Sequence, residues 1–193
     1  MDTEKKAKYT ARDIAEYFLS QADPMVGDII SNLKLQKLVY YAQGFYLATF
    51  DKPLFDDAIE AWDHGPVVAN LYPVYSYAGR GHINPASSYP IIEFDEESSS
   101  ILGYVYQLLG KCSALKLKNM SHRDAPWQNA YDKGAKTIIP HQDMRKYFKT
   151  LIQSSPDIPA DALEIVGHLN EDGTYVIPRD EDYNTDWSEY VAV

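Results

Sequence analysis

Asn32-Leu-Lys-Leu-Gln-Lys-Leu-Val-Tyr-Tyr-Ala-Gln-Gly44 is the stretch that decides the fold of this 193-residue chain. Its apolar residues recur at intervals of three and four, which predicts an amphipathic helix from about Leu33 to Ala48. Gly44 inside that helix costs roughly 1 kcal/mol relative to alanine, so we expect another segment to approach closely there. The predicted apolar face consists of Leu35, Leu38, Val39, Ala42, Phe45 and Tyr46.

Capping and proline signals predict further helices on both sides of this stretch. Thr10 followed three residues later by Asp13 is typical of a capping box, and the helix that it opens should end near Gln21. Asp95 is in position to cap a helix of its own. The later predicted helices are a short one at 114–120, a short one containing Trp127 and one that Pro140 opens.

Between the central helix and Asp95 the sequence predicts short extended segments and one more helix. Residues 54–55 and 59–62 are expected to be extended. A helix is predicted over residues 66–77, since proline suits a first helical turn, with a kink or early end at Pro73. Residues 79–90 are rich in Gly, Pro, Ser and Asn and should form a loop.

Charge divides the chain into two parts. Residues 1–150 carry 18 acidic residues and 17 lysines and arginines, a net charge of −1, whereas residues 151–193 carry 10 acidic residues and one arginine, a net charge of −9. An acidic tail does not bind nucleic acid, because phosphate contacts need Lys and Arg; it favours a basic protein surface or solubility. Lys34, Lys37 and Arg80 are too scattered for a nucleic-acid patch.

These patterns predict a mainly α fold with a C-terminal appendage. Residues 1–152 should form a compact multi-helix domain with short β segments. Residues 153–193 should form an acidic extension with a β-hairpin at residues 169–176, where Asp172-Gly173 is the turn signal.

Composition also bounds the class of protein. No apolar stretch approaches the roughly 20 residues that span a bilayer, and the N-terminal lysines are not followed by an apolar segment, so we expect a cytoplasmic protein without membrane contact. Cys112 is the only cysteine, which excludes an internal disulfide, and its apolar surroundings indicate a core residue.

One group of residues could carry chemistry: Asp63, His64, His122 and Asp124. Their structural interpretation is hydrogen bonding at a turn and, for Ser121 and Asp124, capping of a helix. A partner contact is the second interpretation, and a divalent metal site in a metal-dependent hydrolase is the third. The sequence holds no recognised catalytic or nucleotide-binding motif, so we expect no enzyme, no metal and no cofactor.

Aromatic residues are the other candidates for function. Trp62 and Trp127 are expected to be core residues, whereas Trp187 lies in the acidic tail, where it could anchor a basic partner or fold back onto its own domain. The residues expected to contact a partner are Tyr41, Asp63, His64, His122, Asp186, Trp187 and Tyr190.

Three segments in one order resemble a known family. They are Leu35-Gln-Lys-Leu-Val-Tyr-Tyr-Ala-Gln-Gly44, Ala61-Trp-Asp-His-Gly-Pro-Val67 and Ser121-His-Arg-Asp-Ala-Pro-Trp127. Together they resemble the Panacea domain, the SocA-like or GepA-like family of bacterial and phage proteins, with Ser121 where threonine is usual. The positions that match the family motifs are Leu35, Lys37, Leu38, Tyr40, Trp62, Gly65, Pro66, His122, Pro126 and Trp127.

The resemblance covers about residues 10–152 and implies a mainly helical antitoxin of a bacterial or prophage toxin–antitoxin system. Such a protein neutralises a cognate protein toxin, encoded next door, by direct binding. In the SocA-like branch the resemblance implies an alternative, a proteolytic adaptor that delivers the toxin to the ClpXP protease. A phage protein that interferes with a host factor would use similar binding chemistry.

Overall fold

The computed structural model describes residues 6–154 and two short strands beyond them. The described part is mainly α with short β segments, which confirms the predicted fold class. The helices are α1 (Ala11–Gln21), α2 (Asn32–Phe50), α3 (Tyr72–Tyr75), α4 (Glu96–Leu109), α5 (Ala114–Ser121), α6 (Ala125–Tyr131) and α7 (His141–Ser154), and the strands are β1 (Ile59–Trp62), β2 (Gly65–Val68), β3 (Thr137–Ile138), β4 (His168–Leu169) and β5 (Tyr175–Val176).

Helix α2 is the centre of the domain, and its predicted apolar face is buried, but its other faces are buried as well, so the helix is not amphipathic. Of its 19 residues 16 are buried, on every side of the helix. The reason is that α1, α4, α5, α7 and β2 all pack against it. Periodicity identified the apolar face correctly, but the polar residues on the other faces are buried as well because they find hydrogen-bond partners inside the domain.

The expected close approach at Gly44 is confirmed. A Cβ atom built on this glycine would lie 2.3 Å from the ring of Phe148 in α7, a distance that no real side chain tolerates. The Phe148 ring meets the rings of Tyr40, Tyr41 and Phe45 edge to face. Phe148 of α7 therefore fills the space that a side chain at position 44 of α2 would occupy.

Two of the predicted helix starts are confirmed in detail. The Thr10 side chain accepts from the Asp13 backbone N–H while the Asp13 carboxylate accepts from the Thr10 backbone N–H, which completes a capping box on α1. The Asp95 carboxylate accepts from the backbone N–H of Ser98 at 3.0 Å and caps α4. Each side chain satisfies a backbone donor that the first helical turn leaves unpaired.

The helix predicted over residues 66–77 is wrong at its start. Strands β1 and β2 form an antiparallel hairpin in which Pro66 pairs with Ala61, and β3 adds to the other edge of β1. Gly65 has φ +92, which turns the chain back instead of into a helix. Pro73 opens the short helix α3 and does not kink a longer one.

The C-terminal tail is described only at β4 and β5. These strands pair antiparallel, His168 opposite Val176, which agrees with the predicted hairpin. Its turn at Asp172-Gly173 and the candidate residues Asp186, Trp187 and Tyr190 lie outside the described residues. Among the described helices, none has the length and apolar character needed to cross a membrane.

Candidate functional site

The fold brings the three sequence signatures together around the side chain of Lys37. Its Nζ donates a hydrogen bond to the carbonyl of Pro66 at 2.9 Å, which joins α2 to the β1–β2 hairpin. A Cβ atom at Gly65 would lie 2.9 Å from the Cε of Lys37 and 2.5 Å from the Oγ of Ser121, the last residue of α5. Gly65 is therefore required both by its backbone conformation and by this contact.

Lys37 is an unusual residue for a helix interior. Its side chain is 0% exposed, and among the described residues no carboxylate lies within ion-pair distance of its Nζ. Burial lowers the pKa of Lys37 from 10.5 to about 7, and the positive charge of Lys118 lowers it further in the same direction. A change of protonation at this ammonium therefore falls near neutral pH.

A ladder of aromatic rings connects the second and third signatures. The ring of His122 stacks on Trp127 with 4.2 Å between centroids and 5° between planes, and Trp127 stacks in turn on Tyr131. The Trp127 indole N–H donates to the backbone carbonyl of Trp62 at 3.1 Å, and the Tyr131 hydroxyl donates to the carboxylate of Asp63 at 3.0 Å. These contacts fix helix α6 to the β1–β2 hairpin at the start of the hairpin turn.

Two histidines lie beside the buried lysine, and both are held neutral. Burial, followed by the charges of Lys118, Lys37 and His64, lowers the pKa of His122 to about 4. Burial and the charges of Lys118 and Lys37 also lower the pKa of His64, which is exposed at the hairpin turn. The Nε2 atom of His122 is buried and has no hydrogen-bond partner among the described residues.

Asp124 has a different environment from the one expected. It precedes α6, but its side chain makes no capping hydrogen bond, and it accepts from the Tyr147 hydroxyl at 2.9 Å. The carboxylate lies beside the hydroxyls of Tyr40 and Tyr41, whose pKa values burial raises well above 10 and the charge of Asp124 raises further. The predicted capping role of Asp124 is therefore wrong.

Ser121 also departs from its predicted role. It ends α5 instead of beginning α6, and its hydroxyl donates to the carbonyl of Lys118 at 2.9 Å. Because Asp124 joins the tyrosines, only Asp63, His64 and His122 of the expected cluster remain together, and no three His, Cys, Asp or Glu side chains in the described part of the chain are placed to hold a metal ion.

Two glutamines of α2 were missed by reasoning from the sequence. The side-chain Oε1 of Gln36 accepts from the backbone N–H of Val68 at 2.9 Å. The side chain of Gln43 accepts from the N–H of Leu54 and donates to the carbonyl of Phe55, each at 2.8 Å. Their spacing of seven residues, which places both on one side of a helix, was the available signal.

Of the residues expected to contact a partner, Tyr41 is placed where it cannot do so. It is 4% exposed and belongs to the core, not to a contact surface. Asp63 and His64 are exposed, and His122 is half-buried. Of the two tryptophans expected in the core, Trp127 is buried and Trp62 is half-buried. His141 is half-buried with its Nε2 3.1 Å from the Gln43 side chain. Cys112 is buried, as predicted.

Known proteins match the region that contains the three signatures. Residues 35–128 match the family described as Antitoxin SocA-like, Panacea domain. Antitoxin SocA of Caulobacter vibrioides (strain NA1000 / CB15N) is 33% identical over 137 residues, an alignment that covers 65% of this chain and 72% of that protein. The chain belongs to the SocA-like Panacea-domain family. No solved structure matches it.

The site explains what the motifs of a Panacea domain do in this chain. Lys37, Gly65, Pro66 and Trp127 hold α2, the hairpin and α6 in fixed positions. The same arrangement leaves His64 at the surface beside the buried Lys37. The motifs therefore build a scaffold whose hairpin turn is exposed.

Proposed function

We propose that this protein is an antitoxin that neutralises a protein toxin by binding it directly. The observation that carries the proposal is the similarity of residues 35–128 to the SocA-like antitoxin family, supported by antitoxin SocA of Caulobacter vibrioides over a longer stretch. An antitoxin implies a partner protein, the toxin. Binding needs an accessible surface, and the described residues offer one.

Exposed apolar side chains occur in the loop before α2 and in and after α3. The Asn32 side chain donates to the carbonyl of Tyr72, so the starts of α2 and α3 are neighbours. The Tyr72 ring in turn contacts the ring of Trp62, 5.1 Å between centroids. Exposed apolar side chains of this kind favour protein contacts, and tyrosine is a common interface anchor. The exposed members are Met25, Val26, Ile29, Tyr72, Val74 and Tyr77.

The acidic extension of residues 153–193 is proposed to add partner specificity. The net charge of −9 in residues 151–193 suits a basic groove on a toxin. A chain that lacks residues 157–193 keeps all of α7 and should lose neutralisation. Full protection by this shortened chain would contradict the role proposed for the tail.

Co-expression tests the proposed function directly. The gene product encoded next to this protein is induced alone and together with it, and growth is scored. Rescue of growth with co-elution of the two proteins on a sizing column is the expected result. A neighbouring gene product that does not impair growth would remove the simplest form of the proposal.

Delivery of the toxin to ClpXP is the alternative mechanism. It predicts rescue without a stable complex and loss of the toxin only in cells that contain both this protein and the protease. A toxin that persists at full level in rescued cells would leave direct binding as the mechanism.

Single substitutions locate the interface. Tyr77→Asp places a charge in the exposed apolar surface and should weaken rescue, because desolvating an unpaired carboxylate opposes binding. Ile91→Asp is the matched control, because Ile91 is a fully exposed apolar residue in a different loop. Equal loss of rescue in the two variants would contradict a toxin interface at Tyr77.

A further inference from the structure

The loop between α1 and α2 places two apolar side chains in solvent. Met25 is 90% exposed and Val26 is 79% exposed. Residues 23–27 are exposed without interruption, and a Cβ atom added at Gly27 would meet no atom within 4 Å. The part of this connection formed by residues 23–28, the 23–28 loop, therefore projects from the domain into solvent.

The tip of the 23–28 loop is held by its own hydrogen bonds. The Asp23 carboxylate accepts from the backbone N–H of Met25 at 2.9 Å. The Asp23 backbone carbonyl accepts from the N–H groups of Val26 and Asp28, each at 3.2 Å. Gly27 turns the chain with φ +86, a conformation that glycine adopts without strain. These contacts favour one backbone conformation for the exposed apolar pair.

The base of the 23–28 loop is joined to other elements of the domain. The Asp28 carboxylate accepts from the Nζ of Lys34 in α2 at 3.0 Å and also from the hydroxyl of Tyr106 in α4. Ile30, which is buried, accepts at its backbone carbonyl from the N–H of Ile83 at 2.9 Å. A loop that is already ordered loses little conformational entropy when it binds, so its conformation is prepared for a partner.

We propose that Met25 and Val26 anchor this protein to its toxin by inserting the 23–28 loop into an apolar pocket on the toxin surface. The proposal rests on the proposed function for the identity of the partner, and it adds the loop that docks and the kind of surface that receives it. The stabilisation gained from an apolar side chain scales with the area removed from water, and this gain is still available at both residues. Interface energy is concentrated in a few such side chains that fill pockets.

The charge of the loop favours a protein pocket over a lipid surface. Residues 22–30 contain two acidic residues and no lysine or arginine. Segments that bind anionic membranes combine apolar residues with Lys and Arg, which attract the lipid headgroups. The same acidic residues would be repelled by such a membrane.

The shape of the loop disfavours a second copy of this chain as the occupant. Stable protein interfaces bury about 800 Å² on each partner. Two projecting loops that met tip to tip would cover much less than this area. A concave apolar surface on a different protein fits the exposed pair better.

Backbone relaxation measured by NMR on the full chain tests the loop without a toxin. The amides of Met25 and Val26 should have order parameters near the value of about 0.85 that is typical of rigid backbone. Values below about 0.6 would overturn a preformed anchor. A sizing column run on the same sample should show a monomer. A dimer that Met25→Gln with Val26→Thr converts to a monomer would assign the loop to a second copy and overturn the toxin pocket.

The double variant Met25→Gln with Val26→Thr tests the anchor itself. Both replacements keep the approximate shape of the side chain and make it polar. The affinity for the neighbouring gene product should fall on the order of 10-fold or more. The melting temperature should not change, because neither side chain is buried. Ile91→Thr is the matched control, since Ile91 is 97% exposed in a different loop, and it should leave the affinity unchanged.

Asp23 is proposed as a positioning residue, and two variants test that role. Asp23→Asn keeps a side-chain oxygen that can accept from the backbone N–H of Met25, whereas Asp23→Ala removes it. Asp23→Ala should lower both the order parameter of Met25 and the affinity for the neighbouring gene product, and Asp23→Asn should keep both near the wild-type values. Equal loss in the two variants would assign the effect to the Asp23 charge and contradict the positioning role.

The anchor and the proposed function fail in different ways. Equal affinity of wild type and the double variant for the neighbouring gene product would overturn the anchor and leave the proposed function intact. An equal loss of affinity in Ile91→Thr would also overturn an anchor specific to the 23–28 loop. A wild-type chain that does not bind the neighbouring gene product would contradict the proposed function and exclude that product as the protein that carries the pocket.

Discussion

At the scale of single residues, the contact between Gly44 and Phe148 makes a sharp prediction. Gly44→Ala should lower the free energy of unfolding by about 1–3 kcal/mol, because its methyl group would overlap the Phe148 ring and overpacking outweighs the better helix propensity of alanine. Urea denaturation measures the change.

Gly103→Ala in α4 is the matched control for that prediction. The heavy atom nearest to a Cβ at this position is the Tyr17 hydroxyl at 4.0 Å, so the added methyl group meets no overlap. The control should gain up to about 1 kcal/mol from helix propensity. Two alanine variants with the same sign of change would contradict the role assigned to Phe148.

Lys37 predicts a specific dependence of stability on pH. Its pKa is about 7 in the folded chain and 10.5 as a free side chain, so between these values the unfolded chain binds a proton that the folded chain does not. The contribution of Lys37 to the free energy of unfolding therefore increases as the pH rises from about 7 toward 10.5. Lys37→Met cannot titrate and should lack this increase, which urea denaturation at several pH values would measure. Parallel curves for the two proteins would contradict the low pKa.

At the scale of elements, the N-terminal cap of α4 makes a pH prediction of the same sign in the acid range. Hydrogen bonds from Ser98, with a smaller effect of Lys8, lower the pKa of Asp95 from 3.8 to about 2. The stability that its charge contributes is present above about pH 4 and is lost as the pH falls toward 2. Asp95→Asn keeps a capping side chain without the charge, so the difference in melting temperature between wild type and variant should shrink over this range. A constant difference would contradict the prediction.

The elements also show what could be predicted from the sequence and what could not. The caps of α1 and α4 follow from two residues each and were predicted, because capping is a local interaction. The strand at Gly65 was missed, because its conformation depends on pairing with β1 and on contacts with Lys37 and Ser121, which are distant in sequence.

The candidate site divides in the same way. The residues of the three signatures were identified from the sequence, but their convergence on one buried lysine required the fold. Tyr41, expected to contact a partner, and the motif residue Lys37 are both buried by elements that are distant in sequence. Helical periodicity marks the apolar face and says nothing of polar residues that other elements cover.

At the scale of the whole molecule, the core that the structure describes is built from residues that precede position 155. Helix α7 packs on α2 through Met144, Phe148 and Leu151, all of them before the acidic extension. A chain lacking residues 157–193 should therefore unfold cooperatively at nearly the melting temperature of the full chain. Calorimetry measures this, and a loss of the cooperative transition would show that the tail belongs to the core.

The burial of α2 on every side has a consequence for motion. An amide inside this helix meets solvent only when several surrounding elements separate at once, so its hydrogen exchange should occur through global opening of the domain. The slowest amides of α2 would then report the free energy of the whole fold, whereas amides near the hairpin turn would report events at the surface. One hydrogen-exchange experiment could thus distinguish a ligand that stabilises the entire domain from one that only covers the surface at the hairpin turn.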